Sequence, residues 1–273
     1  MDPRPAATDD RIDVFLRLAC LTYSEPYDPA PAQAMLAREP ELARATVATQ
    51  AACGEHEALT ASLRDDPGAV SRESGPYAWP PLLYLCYSRL DTGDPVAAMQ
   101  VLLSAGADPN SGFLWRGLPS AFTALTGVLG GGERDEPAHP HAIELAALLL
   151  AAGADPNDNQ ALYNRQFRPD DSHLSLLLGH GAGHPHSSPW RDRLGSAYPS
   201  AEEMVAEHLR SAALWGFTSR VRTLLENGVD PNTRGYHPWL GDATAFELAV
   251  RHGHRAAAAL LEQAGGHSCR LDT

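Results

Sequence analysis

The sequence predicts an all-α protein built from repeated helix-turn-helix units. Ala-rich helical runs dominate over β-branched runs, and one nine-residue phrase returns at wide intervals. It reads LLSAGADPN at 102–110, LLAAGADPN at 149–157 and LLENGVDPN at 224–232. In each copy, paired leucines end an apolar stripe, glycine closes the helix in a left-handed conformation, and Asp-Pro-Asn starts a turn. A recurring phrase of this kind indicates that one supersecondary unit is stacked.

Three cysteines add a period to this pattern. Cys20, Cys53 and Cys86 are spaced 33 residues apart, and each ends a similar apolar phrase. Equivalent positions in stacked helices lie about 8–10 Å apart, which is too far for a disulfide. We therefore expect these cysteines to be buried as small apolar residues, whereas Cys269 has no evident partner.

The 33-residue period, the paired helices and the GADPN turn together resemble the ankyrin repeat. Residues 244–249 (TAFELA), followed by Gly253 and His254, are the best match to that family's first-helix motif, and 81–85 and 123–126 are looser versions. The resemblance implies an ankyrin-like repeat solenoid of about seven helix-turn-helix units with finger loops. It also implies a protein-binding function.

The expected units extend along most of the chain. We place helices at 13–21 and 30–38 in unit one, at 47–53 and 57–63 in unit two, and at 161–167 and 173–180 in unit five. The other units cover 81–110, 122–157, 203–232 and 244–264. As domains, we expect a disordered or capping N-terminus at 1–10, repeats 1–5 at 11–183 with an insertion near 130–141, an inserted loop at 184–200, and repeats 6–7 with a C-terminal cap at 201–273.

Composition limits the partners and the location. The net charge of −13 argues against a nucleic-acid partner and is compatible with a basic one. No apolar stretch is long enough for a membrane span, and the first ten residues do not resemble a signal peptide, so we expect a soluble cytoplasmic protein without membrane contact. All 21 basic residues are arginine, which excludes lysine-based chemistry.

Three predicted finger loops carry a glycine followed by aromatic residues. Their aromatic pairs are Tyr77 with Trp79, Phe113 with Trp115, and Tyr236 with Trp239. Rigid aromatic side chains supply a large contact area at low entropic cost, so these six residues are candidate anchors for a partner. The alternative is that each tryptophan folds back over the first helix of its own unit and seals the core.

The first helix of unit five is unusually polar for a central repeat. Its candidate binding residues are Asp158, Tyr163, Asn164, Arg165, Asp170 and His173. Buried polar groups need partners and are often functional, so this helix is a second candidate site. The alternative is a structural hydrogen-bond network that braces a short unit against the 184–200 loop.

Catalytic and metal-binding motifs are weak. His180, His184 and His186, with Asp170 or Asp171, are a conceivable metal set, but they lie in Gly/Pro loops that do not fix their geometry, so no metal site is assigned. There is no G-x-S-x-G, H-E-x-x-H, C-x-x-C or G-x-G-x-x-G motif, and we predict no cofactor.

The leading functional hypothesis is therefore a scaffold that binds a protein or peptide through an acidic-aromatic groove. The second hypothesis is a small-molecule-binding protein or unusual enzyme, in which Arg165 orients an anion and Asp170 or His173 moves a proton. A purely structural assembly module is the third.

Overall fold

The structure is a computed structural model that describes residues 10–267, apart from the side chain of Trp239. Within this part of the chain it is mostly helical, which confirms the all-α prediction. The helices are α1 (Asp10–Ala19), α2 (Ala30–Arg38), α3 (Val47–Ala52), α4 (His56–Asp65), α5 (Pro81–Tyr87), α6 (Pro95–Ser104), α7 (Ala124–Leu129), α8 (Ala142–Ala151), α9 (Asn159–Arg165), α10 (Ser172–Gly179), α11 (Pro189–Leu194), α12 (Ala201–Trp215), α13 (Thr218–Glu226), α14 (Ala245–Arg251) and α15 (Arg255–Gln263). None of these helices is long and apolar enough to cross a membrane.

The described chain divides into two compact units. Unit 1 contains residues 10–113, 122–130 and 136–154, and unit 2 contains residues 114–121, 131–135 and 155–267. The sequence predicts an inserted loop at 184–200, between repeats 5 and 6. In the structure that segment, which we expected to be a loop, contains α11, and Ser188 caps this helix by accepting a hydrogen bond from the Arg191 N–H. The helix begins there because Pro189 occupies its first turn, where a missing N–H costs nothing.

Alternate helices pack in rows within unit 1. The first helices contact one another in the order α1, α3, α5 and α7, and the second helices contact in the order α4, α6 and α8. In unit 2, α12 packs against α9 and α14, while α13 packs against α15. Each helix is too short to be stable alone, so the apolar faces shared between neighbours supply most of the stability.

The three copies of the turn phrase have the same geometry. Gly106, Gly153 and Gly228 have positive φ angles of 95°, 100° and 80°, as the sequence predicted. In each copy the aspartate Oδ1 accepts a hydrogen bond from the asparagine N–H two residues later, at 2.9 Å. The asparagine Nδ2 then donates to a carbonyl of the following turn, at 3.0, 2.8 and 3.1 Å. Asp-Pro-Asn therefore closes its own turn and braces the next one.

The three regularly spaced cysteines are buried and free, as expected. Burial raises the pKa of all three thiols. Each behaves as a small apolar residue in the row of first helices. Cys269 lies outside the described residues.

The region around α7 departs from a regular helix pair. Strands β1 (Gly112–Leu114) and β2 (Ala121–Thr123) form a two-stranded sheet just before α7, which the sequence did not indicate. Residues 130–141 connect α7 to α8 at the position of the predicted insertion.

Buried arginines hold loops in both units. In unit 1 the buried Arg89 donates to the carbonyls of Gly127 and Pro137, each at 2.7 Å. In unit 2 Arg210 is ion-paired with Glu207 and also donates to the Ala243 carbonyl at 2.8 Å. The planar guanidinium has five N–H donors, so one side chain can satisfy several loop carbonyls at once.

Candidate binding surface

The first predicted aromatic loop is packed against its own unit. In unit 1, Trp79 is only 5% exposed, and its ring centroid lies 5.5 Å from Tyr84 and 5.1 Å from Tyr87, both on α5. Tyr77 and Phe113 pack on the same indole at 4.5 and 4.8 Å. The structure thus realises the alternative interpretation for this loop, in which tryptophan seals the first helix.

Trp79 is therefore corrected from a candidate anchor to a core residue. Its indole lies among neighbouring rings, an arrangement that stabilises aromatic pairs beyond simple burial. Tyr77 stays half-buried, with its ring under the Arg17 guanidinium at 5.5 Å. Burial raises the pKa of the Tyr77 phenol to about 12. Phe113 is also half-buried.

The polar first helix that was predicted for repeat unit five is α9. It belongs to compact unit 2 of the structure. Asp158 caps it, because its Oδ1 accepts the Ala161 N–H at 2.9 Å. Asp158 is 3% exposed, so its role is structural capping and not ligand contact. Leu162 and Ala161 face the interior, and Tyr163 at the next position is half-buried.

Three loop segments of unit 2 meet on α9. From the 114–121 segment, the Ser120 hydroxyl donates to Gln160 Oε1 at 2.6 Å. From the 131–135 segment, the Gly132 N–H donates to the Asn164 carbonyl at 2.7 Å. From the 233–240 segment, the Tyr236 hydroxyl donates to Asn159 Oδ1. We call the composite face formed by these segments and α9 the α9 surface.

Glycine permits one of these close approaches. Gly131 has a φ of +86°, and a Cβ added there would lie 2.6 Å from the Asn164 carbonyl oxygen. The 131–135 segment can therefore lie against α9 only with glycine at this position. Further along the segment, Glu133 Oε1 accepts the Tyr163 hydroxyl at 2.7 Å and Asp135 pairs with Arg168 at 3.0 Å.

The α9 surface presents aromatic and apolar side chains. The Tyr163 ring lies 5.5 Å from the His237 ring and 5.4 Å from Phe167. Tyr236 is 37% exposed and Leu118 is 51% exposed. Trp115 is half-buried, with the Arg116 guanidinium 4.5 Å from its ring. The side chain of Trp239, the remaining predicted anchor, lies outside what the structure describes.

Electrostatics keep the polar members of this site in defined protonation states. Burial raises the pKa of the Tyr163 phenol, and its hydrogen bond to the Glu133 carboxylate raises it further. Burial alone would raise the pKa of Asp170, but hydrogen bonds from Ser172 and the nearby Arg165 lower it overall. Arg165 and Asp170 form an ion pair with each other. At neutral pH Tyr163 is therefore protonated and Asp170 is ionised.

A buried polar layer lies behind α9. His173 is fully buried, and its ring meets the His208 ring edge-on at 5.7 Å. Burial lowers the pKa of both histidines well below the ordinary value, and the charges of Arg165 and Arg220 lower it further. The backbone of Asp170 favours the protonated form of His173, but without a well-aligned hydrogen bond to either ring nitrogen. His173 is thus a neutral core residue without solvent access.

Arg220 organises the segment that follows α9. Its guanidinium pairs with Asp171 at 2.6 Å and donates to the carbonyls of Arg168 and Asp170 at 2.6 and 3.0 Å. This network braces the segment after α9 from α13, whereas the structural alternative for unit five placed the brace against the 184–200 loop. Asn164 takes part in a second network, because its Oδ1 accepts the Gln160 amide at 2.8 Å.

The histidines that suggested a metal site do not converge. His180 Nδ1 lies 2.9 Å from the Leu176 carbonyl, and the His184 carbonyl accepts a hydrogen bond from Asn157. Among residues 10–267, no group of three or more histidine, cysteine, aspartate or glutamate side chains is arranged to hold a metal ion.

Several residues of the α9 surface were absent from the sequence-based candidates. Glu133, Asn159, Gln160 and His237 join the site through contacts between segments far apart in the chain. Leu118, an exposed apolar residue of the α9 surface, was also absent from those candidates. The sequence signals that pointed to this region were the insertion near 130–141 and the polar first helix of unit five, because loops often carry function and buried polar groups are often functional.

A scan of protein-family models and a search of curated proteins both find no match to this sequence. The ankyrin resemblance thus depends on the motifs of the chain itself.

Proposed function

We propose that this protein is an ankyrin-type binding scaffold that recognises a protein or peptide partner through the α9 surface. One observation carries the proposal: three loop segments are fixed on one short helix by side-chain and backbone hydrogen bonds. Binding residues on loops that a helical scaffold positions are a common way to build a recognition surface. The repeated turn geometry supports the ankyrin part of the proposal.

The chemistry of the surface fits a protein partner. Tyrosine, tryptophan and arginine are enriched among residues that dominate binding energy, and Tyr163, Tyr236 and Trp115 with Arg116 supply all three types. Leu118 adds exposed apolar area next to Trp115 and Arg116 in sequence. Hydrogen bonds already hold the two tyrosine hydroxyls, so little side-chain freedom is lost on binding.

The same region gives less support to an enzyme. Arg165 is ion-paired with Asp170, and His173 is buried and uncharged. A general acid or base must come within hydrogen-bond distance of its substrate, and His173 has no solvent access. These contacts therefore favour a binding scaffold over an enzyme.

The test is selection of peptides from a random display library on the full chain. Peptides enriched on the wild type should bind the triple variant Leu118→Ser, Tyr163→Ala, Tyr236→Ala at least about tenfold more weakly, since one dominant contact is worth about 2 kcal/mol or more and a tenfold change needs about 1.4 kcal/mol. Val250→Ser, which changes a residue that is 55% exposed in the same unit, is the matched control. Circular dichroism checks that all variants are folded. Equal binding by the triple variant and the wild type would refute the α9 surface as the site.

A further inference from the structure

One junction between turns in unit 2 lacks the asparagine brace found elsewhere. Asn110, Asn157 and Asn232 each lie four residues after the turn glycine and bond to the following turn. After Gly181, whose φ is +92°, the fourth residue is Pro185. Proline has no side-chain amide, so this turn cannot brace the turn around Gly228 in the same way.

A cleft of about 330 Å³ lies between these two turns. Its apolar lining comes from Ala182, Val205, Ala206 and Val229. The volume falls in the range of about 300–1,000 Å³ that is typical of ligand sites.

The cleft contains two carboxylates among its polar side chains and no arginine. Its polar lining residues are Glu202, Asp230, His184, Asn227 and Thr233. Within the described residues, the side chains of Glu202, His184 and Thr233 make no hydrogen bond or ion pair. Asp230 Oδ1 accepts a hydrogen bond from the Asn232 N–H. The cleft thus combines two carboxylates with an apolar wall in a protein whose net charge is −13.

We propose that this cleft binds a cationic nitrogen group on an aliphatic stem, such as a guanidinium or a primary ammonium. Glu202 and Asp230 bind the charged end through charge-assisted hydrogen bonds. Val205 and Val229 contact the methylene groups, as apolar surfaces do along arginine and lysine stems. The site is separate from the α9 surface and does not depend on the function proposed for it.

The test is a titration of the full chain followed by NMR at the backbone amides of Gly183, Gly228 and Thr233. The probes are agmatine, a small dication with a guanidinium and a primary ammonium group, and acetyl-Gly-Arg-Gly-amide, which carries a guanidinium on a peptide side chain. Saturable shifts at these amides with either probe support the cleft. Tighter binding of the peptide identifies a protein segment as the occupant, and tighter binding of agmatine identifies a small amine.

Matched variants separate charge recognition from turn stability. Glu202→Gln and Asp230→Asn should each weaken binding by about two- to fivefold, because an exposed ion pair contributes up to about 1 kcal/mol. Asp108→Asn changes the equivalent turn position in unit 1 and should leave binding unchanged. Thr233→Phe should abolish the shifts by filling the cleft. The proposal is overturned if neutral butylurea binds as well as agmatine, if neither cationic probe saturates, or if Asp230→Asn behaves like Asp108→Asn.

Discussion

Acidification from pH 7.5 to pH 5 should destabilise unit 2 through its buried histidine pair. His173 and His208 are almost fully buried, and Arg165 and Arg220 are the cations that act on both. Asp171 neutralises part of the Arg220 charge through its ion pair. Protonation of either ring would place another cation in this interior, so the folded state keeps both histidines neutral.

The magnitude follows from proton linkage. The pKa of a histidine is about 6.5 in the unfolded chain and is lowered in the folded state, so the unfolded state binds more protons below about pH 6.5. Stability from the pair is therefore fully present above about pH 6.5 and declines as the pH falls. A histidine that stays neutral in the folded state lowers the free energy of unfolding by about 2 kcal/mol at pH 5. Two such residues account for about 4 kcal/mol, a large part of a typical total of about 5–15 kcal/mol.

Urea unfolding at pH 7.5 and pH 5, followed by circular dichroism, measures this loss. Between the two pH values, the free energy of unfolding should fall by about 4 kcal/mol less in the double variant His173→Gln, His208→Gln than in the wild type. His252→Gln changes an exposed histidine of the same unit and serves as the control. His139, whose pKa burial lowers to about 3, leaves a residual pH dependence in every variant. An unchanged loss in the double variant would refute the assignment of the pH dependence to this pair.

Two further predictions concern packing and turn bracing. Trp79→Ala should lower the free energy of unfolding, measured by urea unfolding, by about 3–5 kcal/mol, because it removes a buried ring. Tyr77→Ala should lower it by less. A loss for Trp79→Ala below about 1 kcal/mol would contradict the core role. Asn110→Ala and Asn232→Ala should each cost about 0.5–1.5 kcal/mol, since each loses a hydrogen bond to the next turn. The control is Asn227→Ala, which loses only a hydrogen bond to the Thr223 carbonyl of its own helix. An equal loss of unfolding free energy in all three asparagine variants would argue against bracing.

The local structure was largely predictable because its signals are local. The expected helix at 30–38 matches α2, and the expected helix at 173–180 is shifted by one residue from α10. The glycine, aspartate and asparagine of the turn phrase each act through neighbours a few residues away. Such contacts depend on short-range geometry that residue type largely determines.

The α9 surface was only partly predictable because its contacts join distant segments. Tyr163 and Tyr236 were identified as unusual residues, but their partners Glu133 and Asn159 lie 30 and 77 residues away. Trp79 shows the converse error, since a loop tryptophan gives the same sequence signal whether it faces solvent or covers a helix. Packing decides between these outcomes, and residue type alone does not.

The buried arginines explain how polar loops can be ordered on a small apolar core. Arg89, Arg210 and Arg220 are buried, and each donates to several backbone carbonyls. A close approach by Gly235 makes one of these sites possible, because a Cβ there would collide with the Arg210 and Glu207 side chains. Lysine could not replace arginine at these positions, since its compact ammonium lacks the planar array of five donors. The 233–240 segment of the α9 surface therefore depends on buried charge, because Arg210 also donates to the Leu240 carbonyl at 3.3 Å.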